Sequence, residues 1–409
     1  MKRKGNLYDQ MCDKRLIIEA IENASHGKRH HSHVRRILCQ KDKYAEKILR
    51  MLQEESFEPS SYIPATIKEG SGKKQREISK PRFYPDQVIH WCIYLVLKPW
   101  LFRRFYALNM GSIPGRGVHE GKRHIEKWVR NDRKNTKYYL KMDVRKFYPS
   151  IKTDYLMVKL RRIIKDERFL RLNEKILRMN DGLPIGMLLS QVYANFFLTE
   201  TDFYIKQQLG AKYYLRYMDD MVIFGPNKKE LHRMRKEIEA NIGKIGLRLK
   251  GNWQVCRFDK EPLDFMGFRF YRDRTTIRRS IMLRLTEHVR RSDRDKCSYH
   301  LAAGVLSYLG WLSCTDSHTL FEKRIMPYLH VQRLKNIIRR RDYEILQSRI
   351  HRHAGSVGQN VLPGEGVSPH QYCPGDPRGR GGEPYHRLPV RRNRVYEQGV
   401  YRSDGRPAQ

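Results

Sequence analysis

Apolar positions recur with helical or strand periods along most of this chain. In residues 1–60 they fall at helical spacing, as at Leu16, Ile17, Ala20 and Ile21, and many of the other positions are basic. The pattern predicts a basic, helical N-terminal extension.

Residues 61–137 predict a hairpin followed by a buried helix. Two strand-like patterns flank a glycine-rich basic loop at 68–76. A flexible cationic tip suits phosphate binding, and it is also what any exposed hairpin tip would look like in so basic a chain. An apolar helix over 88–101 follows, and then a glycine-rich turn at 111–117 whose backbone can approach a ligand closely.

Residues 138–272 carry the strongest periodicity. The predicted order is β-α-α-β-β-α-β, which opens with a buried strand at 138–142 and closes with one at 263–270. Its helices include one that Ser190 caps and one over 228–244. This order predicts an α+β fold in which helices back one face of an antiparallel sheet.

A hairpin at 213–225 within this region carries two adjacent acids, Asp219 and Asp220, between apolar strands. For an isolated acidic pair, a solvated turn is the ordinary explanation. Adjacent carboxylates raise each other's pKa, and beside buried strands a cation must compensate them. Asp143 ends another strand of the same predicted sheet, so neighbouring strands would bring its carboxylate opposite Asp219. Carboxylates converging there favour divalent cations, and two such ions can stabilise an in-line phosphoryl displacement.

The composition indicates which substrate this chemistry would serve. The chain has 82 Lys and Arg against 44 Asp and Glu, a net charge of +38, and the basic residues are spread along its length. Such a field favours nucleic acid over a membrane surface as the partner. The 7 cysteines include no Cys-x-x-Cys pair, which argues for a reducing compartment and against a zinc ribbon. No apolar stretch follows the basic residues at 2–4, as a signal peptide would require, and the longest apolar run, at 88–100, is about half a membrane span. We therefore expect a soluble cytoplasmic protein.

Three remaining stretches differ in character. Residues 273–350 predict basic helices with aromatic side chains beneath them, which can follow a duplex backbone through phosphate contacts. Residues 351–409 are rich in Arg, Gly and Pro without any period, which predicts a disordered tail. The His-rich stretch at 25–33 has no acid nearby, so a solvated loop facing nucleic acid is favoured over a metal site.

Four blocks of sequence, taken in order and at their spacing, resemble reverse transcriptases. They are Met142-Asp143-Val144-Arg145-Lys146-Phe147-Tyr148, Gly182-Leu183-Pro184-Ile185-Gly186 with Ser190-Gln191, Tyr217-Met218-Asp219-Asp220, and Phe265-Met266-Gly267-Phe268. The resemblance covers about residues 60–330 and implies a right-hand polymerase with fingers at 61–137, a palm at 138–272 and a thumb at 273–350. It also implies an RNA-directed DNA polymerase that extends a DNA or RNA primer on a template RNA, using dNTPs and two Mg²⁺ ions, or Mn²⁺ in their place.

The resemblance assigns roles to single residues. Asp143 and Asp219 would bind the metal ions, with Asp220 as the supporting acid and third metal-site carboxylate. Tyr148 matches the family's bulky gate against a ribose 2′-hydroxyl, and the alternative is an aromatic side chain that packs at a strand end. Lys250 is the nearest candidate for protonating the leaving pyrophosphate, although a tryptophan stands at the usual position of that lysine.

Two basic residues of the predicted hairpin are candidates for the incoming nucleotide. Arg76 falls where the family places an arginine on the triphosphate, and guanidinium geometry suits that contact. Lys74 could share or take the role, and so could its basic neighbours Lys73, Lys80 and Arg82.

Departures from the common pattern indicate a subtype. Ile185-Gly186 stands where most relatives have Gln-Gly, and Ser190-Gln191 where most have Ser-Pro. The combination resembles the diversity-generating retroelement branch, whose enzymes copy RNA with errors at adenines and work with a small accessory protein. A branched aliphatic at 185 loses a hydrogen bond beside the nascent base pair, and the alternative is a packing substitution without effect on fidelity.

Other functions stay open at this point. Group II intron-like, retron and phage-defence reverse transcriptases are the alternatives within the family, each prokaryotic or phage-encoded. A non-catalytic RNA-binding protein on a decayed polymerase scaffold is the alternative outside it. The intact acids at 143, 219 and 220 argue against that last reading.

Overall fold

The computed structural model describes residues 3–69, 74–294 and 297–340. Its strands are β1 Ile63–Glu69, β2 Lys74–Lys80, β3 Tyr138–Met142, β4 Tyr213–Tyr217, β5 Asp220–Gly225, β6 Gln254–Arg257, β7 Leu263–Phe265, β8 Phe268–Phe270 and β9 Thr275–Ile277. Its α-helices are α1 Leu7–Met11, α2 Lys14–Ser25, α3 Ser32–Cys39, α4 Lys41–Gln53, α5 Val88–Leu101, α6 Val118–Asn131, α7 Phe147–Ser150, α8 Thr153–Ile163, α9 Glu167–Leu177, α10 Leu188–Phe197, α11 Thr199–Phe203, α12 Lys228–Gly243, α13 Arg279–Arg294, α14 Tyr299–Leu312 and α15 His318–Arg324. The predicted tail at 351–409 and the tip of the glycine-rich loop at 70–73 lie outside the described residues.

The strands form three antiparallel sheets within the described part of the chain. β1 pairs with β2, a four-stranded sheet has the order β4-β5-β3-β6, and a three-stranded sheet has the order β7-β8-β9. In the four-stranded sheet, Met142 is opposite Met221 and Tyr217 is opposite Asp220. This register places the end of β3 beside the turn that joins β4 to β5.

Both faces of the four-stranded sheet are buried. Leu140 and Ile223 belong to a core that the helices α5, α8, α10 and α12 share, whereas Tyr139 and Phe224 belong to a second core. α6 and the strands β7 and β8 supply most of the rest of that second core. Helices therefore back one face of the sheet, as expected, and the cover over the second face is what the sequence did not predict. The continuous apolar runs of β4 and β5 are typical of strands buried on both sides.

The last predicted strand, at 263–270, is two strands. Met266 and Gly267 both take positive φ, 51° and 85°, and turn the chain between β7 and β8. The fourth strand of the central sheet is instead β6, whose polar edge residues gave no strand pattern. The turn between β7 and β8 left no signal in the sequence pattern, because Met266 is apolar and buried, like the residues on both sides of the turn.

The N-terminal helices share one continuous core with the central sheet. Ile17, Ala20 and Ile21 on α2 are fully buried, as the helical spacing predicted, and Leu16 is partly buried. The Asp166 side chain at the start of α9 accepts hydrogen bonds from the backbone of Leu7 at 2.7 Å and of Tyr8 at 2.9 Å. Residues 1–60 are therefore helical, but they are built into the same core as the region that follows.

Several predicted helices have the expected bounds. α5 covers 88–101, and α12 begins at Lys228 after an Asn227 cap that accepts from the Lys229 backbone at 2.8 Å. Ser190 does not cap α10, which begins at Leu188. The Ser190 hydroxyl instead donates to the Pro184 carbonyl at 2.6 Å.

Among the described residues, no helix has both the length and the apolar character needed to cross a bilayer.

The C-terminal helices follow a short strand. After β9, the helices α13, α14 and α15 pack around their own core, and residues 331–340 are helical as well. The aromatic residues expected beneath the basic surface are partly buried against this core: Tyr308, Trp311, Phe321 and Tyr328.

His90 on α5 makes the stability of the fold depend on pH. Its side chain is 1% exposed, and neither ring nitrogen has a hydrogen-bond partner among the residues that the structure describes. Burial lowers the pKa of His90 to about 3. Below the ordinary pKa of histidine, the unfolded chain therefore binds a proton at His90 and the folded chain does not. The stability that depends on neutral His90 is present above that pKa and is lost as the pH falls.

We expect His90 to remove about 1.4 kcal/mol of the free energy of unfolding between about pH 7.5 and 5.5. His90→Leu should lose that share of the pH dependence, as measured by urea unfolding at both pH values. An exposed histidine replaced in the same way, His300→Leu, should behave as wild type. Identical pH dependence in His90→Leu and wild type would contradict the assignment.

Candidate active site

Three acidic side chains lie where β3 ends and the β4–β5 hairpin turns. Asp143 directly follows β3, Asp219 shares the two-residue turn with Met218, and Asp220 opens β5 opposite Tyr217. The turn is tight because Met218 adopts a positive φ of 57°. The sequence predicted a hairpin with both acids at the turn; the structure puts only Asp219 there.

Burial and mutual repulsion set the charge state of these acids. Burial, together with the adjacent Asp143 carboxyl, raises the pKa of Asp219 to about 7. Burial and the charge of Asp143 also raise the pKa of Asp220, while Lys141, Arg278 and Lys250 act in the opposite direction. The site therefore concentrates negative charge that is poorly solvated.

The pair formed by Asp143 and Asp219 fits a divalent cation. The Oδ1 atom of Asp143 is buried and has no hydrogen-bond partner of its own among the described residues. Asp219 lies close enough to donate to Asp143 only while it is protonated, because two carboxylates cannot donate to each other. A hard cation between them would take the place of that proton, and oxygen ligands suit Mg²⁺.

Asp220 does not complete a three-carboxylate metal site in this geometry. Within the described ranges, no three His, Cys, Asp or Glu side chains form a group that could hold a metal ion. The register puts Asp220 on the face of the sheet that carries Lys141, whose positive charge acts against the raised pKa of Asp220. Asp220 is thus a neighbouring charge in this geometry, and its expected role as a third metal-site carboxylate stays a prediction.

Lys250 lies in the site as an ion-pair partner of Asp143. Its Nζ is 2.7 Å from Asp143 Oδ2, and its backbone amide donates to the Asp143 carbonyl at 2.8 Å. The hydrogen bond to Asp143 raises the pKa of Lys250, so the ammonium stays charged at neutral pH. Lys250 could deliver a proton only after leaving Asp143. Trp253, at the usual position of the family's lysine, stacks on the Arg235 guanidinium 4.6 Å away.

Tyr148 is held between two of the sequence blocks. It lies half-buried on α7, its ring centroid 5.6 Å from that of Phe147, and its carbonyl accepts from the Leu183 amide at 2.9 Å. Gly182 fits because it has φ 88° and no Cβ; a Cβ would lie 2.4 Å from the Pro149 carbonyl oxygen. The blocks at 142–148 and 182–186 therefore form one surface.

The second block is also attached to the β1–β2 hairpin. The Ser79 amide on β2 donates to the Ile185 carbonyl at 2.8 Å, and a Cβ on Gly186 would lie 3.0 Å from the Ser79 oxygen. Ile185 is half-buried, and Gln191 is exposed on α10. These contacts join residues far apart in sequence, and no local pattern signals them.

The two candidate nucleotide-binding residues of the hairpin lie on β2. Arg76 is opposite Ile67, and Lys74 is opposite Glu69 beside the loop. β2 is thus the strand that carries Arg76, Lys74 and the attachment to the 182–186 block.

A basic groove begins beside Asp220. A cavity of about 750 Å³ is lined by Lys141, Asp264, Arg269, Arg278 and Arg279, among others. It shares Arg269 and Arg279 with a second cavity of about 820 Å³ that lies among β8, β9, α13 and α15. Lys141 and Arg278 were not among the predicted site residues, because each is one cation among many in a chain of this charge.

The glycine-rich turn at 111–117 packs against the β4–β5 hairpin at its first residue. A Cβ on Gly111 would lie 2.6 Å from the Met218 backbone nitrogen. The sequence predicted close approach to a ligand; at Gly111 the partner is the turn that carries Asp219.

Comparison with known proteins identifies relatives of this region. Residues 68–270 match the family described as reverse transcriptase (RNA-dependent DNA polymerase). The chain is 30% identical over 183 residues to the retron Ec73 reverse transcriptase of Escherichia coli, covering 41% of this chain and 54% of that protein. It is 27% identical over 173 residues to an uncharacterized 91 kDa protein in a cob intron of Schizosaccharomyces pombe, covering 39% of this chain and 21% of that protein.

A solved structure of telomerase from Candida albicans, in complex with a fragment of telomeric RNA, also resembles the chain. The identity is 13%, the TM-score is 0.43, and the match covers 75% of this chain and 64% of that one. The chain spans about half the length, or less, of the two curated relatives above.

Proposed function

We propose that this chain is an RNA-directed DNA polymerase, because residues 68–270 match the reverse transcriptase family. It would extend a DNA or RNA primer on a template RNA with deoxynucleoside triphosphates. The observation that carries the proposal is the half-buried carboxyl pair of Asp143 and Asp219, with one buried oxygen of Asp143 that lacks a partner among the described residues.

The catalytic residues divide the work by position. In our proposal, two divalent metal ions would supply stabilisation of the attacking and leaving oxygens in nucleotidyl transfer. Asp143 and Asp219 would hold them, Lys250 would offset the charge of Asp143, and Asp220 would tune the potential from the adjacent strand. Mg²⁺ is the expected ion, and Mn²⁺ has the same preference for oxygen ligands.

The incoming nucleotide would lie between β2 and α7. Arg76 and Lys74 would bind its triphosphate from β2, and Tyr148 would close the space beside its sugar. The hydrogen bond between Ser79 and Ile185 supports this assignment, since it ties β2 to the block that packs on Tyr148 and Pro149. In this proposal 61–137 are the fingers, 138–272 the palm and 273–350 the thumb.

The basic groove would hold the primer strand and its template. Lys141, Arg278 and Arg279 line it next to the acids, and Arg269 continues it toward α13. Contacts of this kind bind phosphates without reading base sequence. The charge of +38 on the whole chain supports a nucleic acid partner.

Primer extension tests the proposed function. Purified protein, a labelled DNA primer on an RNA template, dNTPs and Mg²⁺ should yield full-length DNA, and a chelator should stop the reaction. If the protein bound the primer–template duplex but did not extend the primer in the presence of Mg²⁺, a non-catalytic RNA-binding protein would be favoured instead.

For the subtype, we propose the diversity-generating retroelement type with low fidelity at template adenines. The support is Ile185 and Gln191, at positions where most relatives carry glutamine and proline. A small accessory protein would be a further partner. The retron and intron proteins among the relatives make retron-type and group II intron-type enzymes the alternatives.

Ile185→Gln is expected to reduce misincorporation at template adenines by about tenfold, since a restored hydrogen bond is worth about 1.4 kcal/mol. Sequencing of cDNA from wild type and variant measures it. Ile163→Gln, at a half-buried isoleucine on α8 away from the 182–186 block, serves as the control and should leave the error spectrum unchanged. Equal errors at adenines in Ile185→Gln and wild type would reject the fidelity role.

A further inference from the structure

We propose that Arg216 is a positioning residue that fixes the turn carrying Asp219. The inference rests on the proposed polymerase function for its kinetic consequence, and its structural basis is independent of that function. Arg216 lies on β4, and its side chain and that of Asp202 are both 0% exposed. A fully buried arginine in an apolar strand needs an explanation, because most of its hydration is lost.

Asp202 compensates the charge of Arg216. The guanidinium donates to both carboxylate oxygens, Nε to Oδ1 at 2.7 Å and Nη2 to Oδ2 at 2.6 Å. Tyr214 adds a hydroxyl hydrogen bond to Oδ1 at 2.7 Å. A buried pair of this kind commonly adds little net stability compared with apolar residues of the same size. The pair alone therefore does not account for an arginine at this position.

The remaining guanidinium nitrogen reaches the hairpin turn. Nη1 donates to the Met218 carbonyl at 2.8 Å and to Asn195 Oδ1 at 3.0 Å. Asn195 in turn donates to the Gly111 carbonyl at 2.7 Å. Arg216 thus joins α10, the segment at 109–111 and the turn in one buried network.

Met218 is held from two directions. Arg216 binds its carbonyl, and Gly111 lies against its amide so closely that a Cβ would sit 2.6 Å from the nitrogen. Met218 also has a positive φ of 57°, which is strained for a non-glycine residue and persists only where surrounding contacts impose it. Asp219 is the next residue, so these contacts determine where its carboxylate lies relative to Asp143.

The test separates positioning from a general contribution to stability. Arg216→Lys keeps a cation that can reach Asp202, but an ammonium cannot reproduce the planar fork that binds Asp202 and Met218 together. Gly111→Ala displaces the same turn without touching the ion pair. Tyr106→Phe is the matched control, since it removes another buried hydrogen bond to β4, from the Tyr106 hydroxyl to the Tyr214 carbonyl at 2.9 Å.

Two readouts apply to each folded variant. The first is kcat and KM for dNTP in primer extension, and the second is Mn²⁺ binding by electron paramagnetic resonance without nucleic acid. We expect Arg216→Lys and Gly111→Ala to lower kcat by about 10²-fold and to weaken Mn²⁺ binding by about tenfold, with KM changed less than about threefold. Tyr106→Phe should stay within about twofold of wild type in both readouts.

Wild-type kcat and Mn²⁺ affinity in either folded variant would overturn the proposal. So would equal losses in Tyr106→Phe, because these would trace the effect to stability. If the wild type makes no DNA on any template, the proposed function fails. The Mn²⁺ affinities of the same variants then decide the positioning role alone, and Gly111→Ala decides it if Arg216→Lys does not fold.

Discussion

Replacing Asp219 by asparagine is expected to lower the rate of dNTP incorporation by about a thousandfold, which corresponds to about 4 kcal/mol of transition-state stabilisation. The reason is the loss of one of the two carboxylates that would hold the metal ions. The fold should survive, because the raised pKa of Asp219 means that its ionised form is disfavoured in the folded chain. At about pH 8 we therefore expect Asp219→Asn to unfold at a temperature no lower than that of wild type.

The control for this substitution is Asp154→Asn on α8, whose carboxylate is 83% exposed. It should keep wild-type incorporation. Incorporation by Asp219→Asn at the wild-type rate, measured in single turnover, would remove Asp219 from catalysis. A strongly lowered unfolding temperature would instead show that the carboxylate stabilises the metal-free fold, contrary to its raised pKa.

Replacing Tyr148 by alanine is expected to lower the preference for dNTP over NTP by about a hundredfold, or about 2.7 kcal/mol. The Phe147 ring lies against the Tyr148 ring, and the hydrogen bond from the Leu183 amide fixes the backbone from which the Tyr148 ring projects, so we expect the ring to obstruct a 2′-hydroxyl. The measurement is kcat/KM for a matched dNTP and NTP on the same primer and template. The change should appear mainly as improved use of the NTP.

Tyr155→Ala, at a tyrosine on α8 that is 49% exposed, is the control and should leave the discrimination unchanged. Unchanged discrimination in Tyr148→Ala would mean that Tyr148 only packs against Phe147. Other residues would then have to distinguish the deoxyribose of a dNTP from the ribose of an NTP.

The sequence predicted the centre of the site better than its surroundings. Asp143 and Asp219 could be placed side by side because each follows a strongly apolar strand, and such strands pair within one sheet. Lys250 could be placed in the site only through the family resemblance. The resemblance did not reveal that Lys250 binds Asp143, because that contact depends on the exact register between 143–144 and 249–250.

What the sequence could not predict has physical causes. β6 was not predicted because an edge strand with polar side chains lacks the alternation of apolar and polar residues that marks a strand. The turn at Met266 was not predicted because its residues include an apolar side chain. The role of Arg216 escaped because a single charge in an apolar strand does not reveal its distant partners, Asp202 and Asn195. Contacts between remote segments are set by tertiary packing, which overrides local pattern.

The acids at 143 and 219 form the centre of a template-directed DNA polymerase in this account, and one measurement tests that directly. A DNA primer on an RNA template of mixed sequence is offered each dNTP singly, with wild type and with Asp219→Asn. Wild type should add only the nucleotide complementary to the next template base, and Asp219→Asn should add about a thousandfold less in the same time. Addition that ignores the template base, or equal addition by the two proteins, would contradict the account.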